Sequence, residues 1–307
     1  MDSPTALAPS WLAPIALIGR AGLNLAAYLG CLGTLVLSAI RSVLSPSGED
    51  PPFWPAWRDK TLLLLAMGAP LVALVHLGMG TFLSMQAYFG GTFVDGTGAV
   101  VGVGLIRNVA PMMTGLTLTG LLAPLFTTEL LSRANADLNS KRVDQSQALD
   151  NLAEGVTSPS GFAGSDTELE ASPARLVAVR IGAGMTACLI LSVWGALVGT
   201  VVGWQTAKKL LGVSTDSFFS MYFEMLWLRD VFGLVTKGVL FGLFAAVFPC
   251  HEGLRAASRD SSSITFVACR AACLASVALL FLNSIWFLLI YHAGPAFGPT
   301  LLAPPGL

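Results

Sequence analysis

The chain has 307 residues, of which 54% are hydrophobic and only 11% are Asp, Glu, Lys or Arg. A soluble domain carries about 25% charged residues, so this one lacks the charge that keeps a soluble surface dispersed, and its apolar content excludes a disordered chain. The net charge of −1 offers no basic field to nucleic acid, which leaves an all-α polytopic membrane protein.

Residues 1–60 form an N-terminal segment. Within it, residues 21–40 are uncharged and flanked by Arg20 and Arg41. That length just suffices to span, since a helix rises about 1.5 Å per residue through a core about 30 Å thick. Basic residues at both ends also suit a helix lying in the interface. Nothing basic precedes the apolar stretch except Arg20, so it is no obvious signal peptide. Five spans are expected after it, at about 62–89, 99–131, 176–204, 231–250 and 268–292, where charges are nearly absent. Pro111 and Pro124 fall in the second span and should kink or interrupt it. Gly195, Gly199 and Gly203, and Gly238 with Gly242, have the four-residue spacing that lets helix backbones approach in lipid.

Lys and Arg counts orient the chain. Twelve of the 17 basic residues fall on one side of the spans (Arg20, Arg41, Arg58, Lys60, Arg133, Lys141, Arg142, Arg175, Arg180, Arg255, Arg259 and Arg270). The other five (Arg107, Lys208, Lys209, Arg229 and Lys237) are assigned to the opposite side and its span ends. The first side is therefore expected in the cytoplasm of an inner (plasma) membrane protein, with the tail at 293–307 outside.

The loop at 132–173 is the longest polar stretch and holds seven of the 18 acidic residues. Asp144 and Gln147 have capping-box spacing, and Leu149, Leu152, Ala153 and Val156 recur on one helical face. A short amphipathic helix at about 143–153 is expected, able to dock in the groove of a soluble partner. Residues 155–172, with Ser158-Pro159-Ser160-Gly161, read as a flexible linker.

No catalytic constellation appears. His251-Glu252 lacks the second histidine of a zinc-protease motif, because residue 255 is Arg. No phosphate-binding GxxxxGK[ST] loop and no GxSxG elbow occur. His76 stands alone in an apolar run and reads as a packing histidine. The five cysteines form no CxxC pair, and most lie in apolar runs as small hydrophobes. The expectation is a non-enzyme with no cofactor and no metal site, and any ATP hydrolysis would belong to a partner.

Several stretches resemble the MlaE/YrbE family, the permeases of Mla and Mce lipid-transport systems. Ile18-Gly19-Arg20-Ala21-Gly22-Leu23 is similar to the family's interfacial-helix motif. Arg107-Asn108-Val109-Ala110-Pro111 with Thr114-Gly115-Leu116, and Thr128-Glu129-Leu130, resemble its second-span motifs. The stretch from Asp144-Gln145 through Leu149-Asp150-Asn151-Leu152-Ala153 is similar to its coupling helix, and Ser172-Pro173 and Arg180 resemble the Asp-Pro and Pro-Arg beyond that helix. Phe218-Phe219, Asp230, Lys237-Gly238 and Cys250-His251-Glu252-Gly253-Leu254 resemble its fourth-span region. The likeness runs over about residues 15–292, with departures: Asn108 stands where the family has Glu, and 155–172 is an insertion.

The resemblance implies a permease domain over residues 61–292, paired with a second copy or a paralogue. A cytoplasmic ABC ATPase would sit below and MCE-domain proteins outside, and the cargo would be a phospholipid or another apolar lipid such as a sterol. ATPase coupling is expected at Asp144, Gln145, Leu149, Asp150 and Leu152. Ionisable groups within spans are functional candidates, so Arg107 and Glu129, with Gln86 and Asn108 as uncharged donors, are the candidates for a membrane-lipid pathway. Two alternatives remain open: a non-transporting scaffold that completes a heterodimer, and an ATP-independent secondary transporter.

Overall fold

A computed structural model describes residues 12–45, 52–89, 97–154, 172–226, 228–257 and 263–289, with side chains omitted at 12–16, 99 and 134–154. The expected tail at 293–307 and linker at 155–171 lie outside these residues. Every described element is helical: α1 (Leu12–Leu44), α2 (Phe53–Phe89), α3 (Thr97–Gly104), a π turn (Leu105–Val109), α4 (Ala110–Glu154), α5 (Pro173–Leu210), α6 (Thr215–Glu224), α7 (Leu228–Ala257) and α8 (Ile264–Phe287). The all-α polytopic class is borne out. Six helices, not five, are long and apolar enough to cross a membrane, the additional one being Leu17–Leu44 of α1.

Local chemistry accounts for the helix ends. Ser172 caps α5 by accepting from Arg175 N–H, with Pro173 in the first turn, where its missing N–H costs nothing. Ser214 and Ser263 cap α6 and α8 in the same way. Lys208 and Lys209 sit in the last turn of α5, against its dipole. Gly212 follows with φ +72°, a left-handed turn that glycine adopts without strain.

The bundle core is α2, α4, α5 and α7. α2 and α5 run parallel and meet along the glycine row. Gly195 faces the His76 ring, a Cβ on Gly80 would collide with the Gly199 carbonyl, and Ser84 Oγ donates to Gly203 O at 2.8 Å. His76 is fully buried, and its Nδ1 lies 2.8 Å from Val72 O. α7 runs antiparallel to α5, and Gly242 packs against Gly184 with Ala246 beside it. Small residues therefore set both of these close helix contacts, where lipid offers no hydrophobic drive between helices.

α1 lies across this bundle. Its Ser42 carbonyl accepts from Arg175 Nη1 at 2.8 Å, and its Tyr28 hydroxyl donates to Glu252 Oε1 at 2.8 Å. Arg175 is nine residues before Gly184 and Glu252 ten after Gly242, so both lie at one level. Yet Ser42 and Tyr28 are 14 residues apart, about 21 Å along α1. A helix threading the bilayer beside α5 would separate these contacts in depth. α1 instead lies flat across one end of the bundle. We term this the basic end; α3, the π turn and α6 form the opposite end.

The expected break near Pro111 is present, but it begins before the proline. Ala110 N–H donates five residues back to Leu105 O, the signature of the π turn. Helix α4 then continues through Pro124 to Glu154. Residues 143–153 are thus helical as the tail of α4, not as a separate element.

Candidate functional site

Two polar clusters stand inside the apolar spans. The first, at the opposite end, is built around the π turn. Arg107 grips Asp230 of α7 with two bonds, Nε to Oδ1 at 2.7 Å and Nη2 to Oδ2 at 3.1 Å, and Nη2 also reaches Met225 O at 3.2 Å. Seven residues along α7, Lys237 Nζ donates to Arg107 O at 2.8 Å and to Asn283 Oδ1 of α8 at 3.0 Å. Asn283 Nδ2 faces Met112 S at 3.6 Å. Asp230 is 0% and Lys237 1% exposed.

Pro111 explains one of these bonds. Its ring nitrogen has no hydrogen, so the carbonyl four residues back, that of Arg107, loses its helical donor. An orphaned carbonyl in hydrocarbon costs several kcal/mol. The Lys237 ammonium takes that place. The helix break and the buried lysine are one device: the proline frees an acceptor, and the lysine gains a partner it would otherwise lack. Beside it, Asn108 Oδ1 is buried with no hydrogen-bond partner, as is Thr114 Oγ1 further along α4.

Around this cluster α3 and α6 close the end of the bundle. Gly98 packs on the Phe218 backbone and Gly102 on the Tyr222 ring. Tyr222 Oη and Thr200 Oγ1 are 3.1 Å apart, joining α6 to α5.

The second cluster lies at the basic end. Glu129 of α4 is held by Lys60 of α2 and by Arg180 of α5, whose Nε stands 3.0 Å from Oε2. The Arg180 guanidinium also covers the Phe126 ring at 5.9 Å. A smaller group binds α1 to α7 and α8, where Glu252 accepts from Tyr28 and pairs with Arg270 at 3.3 Å.

The structure does not bring the four pathway residues together. Arg107 and Glu129 are 22 residues apart, about 33 Å along the helix, in different clusters. Asn108 adjoins Arg107, and Gln86 is exposed on α2. The residues that sequence reasoning missed are Asp230, Lys237 and Asn283. Counting basic residues by side places Lys237 near a span end, whereas it is enclosed. Its own neighbours carried the signal, because a single lysine between the apolar runs 231–236 and 238–248 is costly to bury without a role. Asp144, Gln145, Leu149, Asp150 and Leu152 lie on the helical tail of α4, where side chains are outside the described set.

Polar groups inside and apolar groups outside define the class. Large side chains such as Leu74, Phe82, Leu197, Val277 and Phe281 face outward on the long helices, while Asp230, Lys237 and Arg180 are buried. This is a multi-pass membrane protein. Residues 170–289, from the start of α5 through α8, match the family model described as Permease MlaE. The resemblance to the MlaE/YrbE permeases is borne out over that stretch. No curated protein matches the chain.

Proposed function

We propose that the chain is the membrane subunit of an ABC-type lipid transporter, coupling a separate cytoplasmic ATPase to the movement of a phospholipid or similar apolar lipid to or from MCE-domain proteins. The observation that carries this reading is the buried Arg107–Asp230–Lys237–Asn283 cluster beside the π turn. Ionised groups inside a span are costly and mark transport pathways. They stand beside a break in the second span, and π turns often stand at functional positions. The partly buried Asn108 amide beside them offers a further headgroup contact, and the apolar outer walls suit acyl chains.

Coupling falls to the tail of α4. Leu149 and Leu152 supply apolar anchors on a helix continuous with the span, and Asp144, Gln145 and Asp150 its polar rim. A second copy or a paralogue would complete the permease. The basic end faces the cytoplasm by the distribution of Lys and Arg.

The test is reconstitution with the partner ATPase in liposomes, following ATP-dependent transfer of a fluorescent phospholipid. Leu149→Asp/Leu152→Asp should abolish ATPase co-purification. Lys237→Met should stop transfer while leaving the ATPase bound. Transfer that survives without ATPase would favour a secondary transporter. Transfer by the complex that is indifferent to Lys237 would favour a scaffold role.

A further inference from the structure

The basic end holds a cavity that the transport reading does not use. Lys60 of α2, Arg133 of α4, and Arg175 and Arg180 of α5 line a space of about 430 Å³ between the three helices. Among the described residues its acids are Asp59 and Glu129, so four cations face two carboxylates there. Both carboxylates are engaged: Glu129 by Lys60 and Arg180, and Asp59 by Arg58 at 3.0 Å. The remaining wall is apolar and includes Leu63, Leu176 and Val179.

The depth of this cavity is set by its neighbours. Arg175 binds the Ser42 carbonyl of the flat-lying α1 and stands over the Phe53 ring at 5.3 Å. Phe53, Trp54 and Trp57 form an edge-to-face aromatic group at the same level. An interfacial helix and an aromatic group together mark the plane of lipid headgroups. A net-positive cavity with one apolar wall in that plane matches one ligand chemistry. Arginine pairs well with phosphate oxygens, and basic pockets between spanning helices take acidic headgroups.

We propose that this cavity binds the phosphate-bearing headgroup of an anionic phospholipid, with the acyl chains leaving along Leu63 and Val179. The lipid would be a fixed one that ties α2, α4 and α5 together where α4 leaves the bundle. It is separate from any cargo at the Arg107 cluster, and the inference does not depend on the transport reading.

The full chain, purified in an uncharged detergent and stripped of lipid, is offered equal amounts of dioleoylphosphatidylglycerol and dioleoylphosphatidylcholine, and the adducts are counted by native mass spectrometry. The anionic lipid should be favoured by roughly tenfold. Arg133→Gln/Arg175→Gln should bring the ratio close to one, while Lys208→Gln/Lys209→Gln at the opposite end leaves it intact. If the double variant does not fold, Arg133→Gln alone should lower the ratio by about threefold. Equal binding of the two lipids by the unaltered chain overturns the proposal. So does an equal loss in the lysine control, which would mean bulk charge attraction. Inorganic phosphate separates the two sources of the chemistry. If it raises the melting temperature as much as phosphatidylglycerol does, and Arg133→Gln/Arg175→Gln removes the effect, the site serves a soluble anion and the lipid assignment falls.

Discussion

The two charge clusters use the same chemistry in different surroundings. At the basic end, Glu129 is 26% and Lys60 19% exposed, and only Arg180, at 3%, is deeply buried. At the opposite end, Asp230 and Lys237 are both enclosed, and their partners include a backbone carbonyl and an amide as well as charges. Water and salt can replace part of a lost partner at Glu129. Asp230 itself is shut off from water, and what stands near it besides Arg107, itself 20% exposed, includes a second cation, Arg229, at 3.9 Å. A buried charge in this protein is thus held by geometry, through the π turn and Pro111, whereas the boundary cluster is held largely by charge number.

The largest effect should come from breaking the enclosed cluster. Asp230→Ala leaves the Arg107 guanidinium without its carboxylate, and a broken buried pair costs about 3–5 kcal/mol. Thermal unfolding in detergent measures this, and a cost under about 1 kcal/mol would show that the cluster is wetter than its burial implies. Next comes the glycine seam. Gly80→Val drives a side chain into the Gly199 carbonyl, with overpacking of about 1–3 kcal/mol or more, while Gly120→Ala, with open space at its Cβ, should hold or slightly raise the melting temperature, since Ala is the better helix former.

Glu129→Gln should cost about 1–2 kcal/mol, lying between an exposed and a buried pair. That cost should shrink as salt is raised, because screening acts on the exposed members; the cost of Asp230→Ala should not. A melting-temperature series in sodium chloride distinguishes the two clusters. The smallest effect belongs to Arg58→Ala. Its pair with Asp59 is 66% exposed on both sides, and the change should stay within about 0.5 kcal/mol.

Much of the architecture is legible in the residues. Charge-free runs locate the spans, Ser172-Pro173 marks the start of α5, and Pro111 announces the break in the second span. The small-residue spacing of Gly195, Gly199 and Gly203 predicts a close helix contact, but not its partners His76, Gly80 and Ser84, because spacing says which face is bare and not what meets it. The charge-free runs are shorter than the helices for a related reason. Helices α2, α5 and α7 continue past the apolar core, since their backbone hydrogen bonds persist where the side chains turn polar.

The candidate site is less legible. Arg107 and Asn108 stand out as polar residues in an apolar run, but Asp230, Lys237 and Asn283 come from two other helices more than 100 residues further along the chain. Composition alone determined that this chain is a multi-pass membrane protein, because 11% charge cannot cover a soluble surface. The tertiary structure decided where that scarce charge works. It laid α1 flat at one end through contacts to Arg175 and Glu252, and it set Lys237 on the carbonyl that Pro111 leaves open. Those pairings depend on helix register and crossing, which arise only when the helices pack, so no single stretch of sequence contains them.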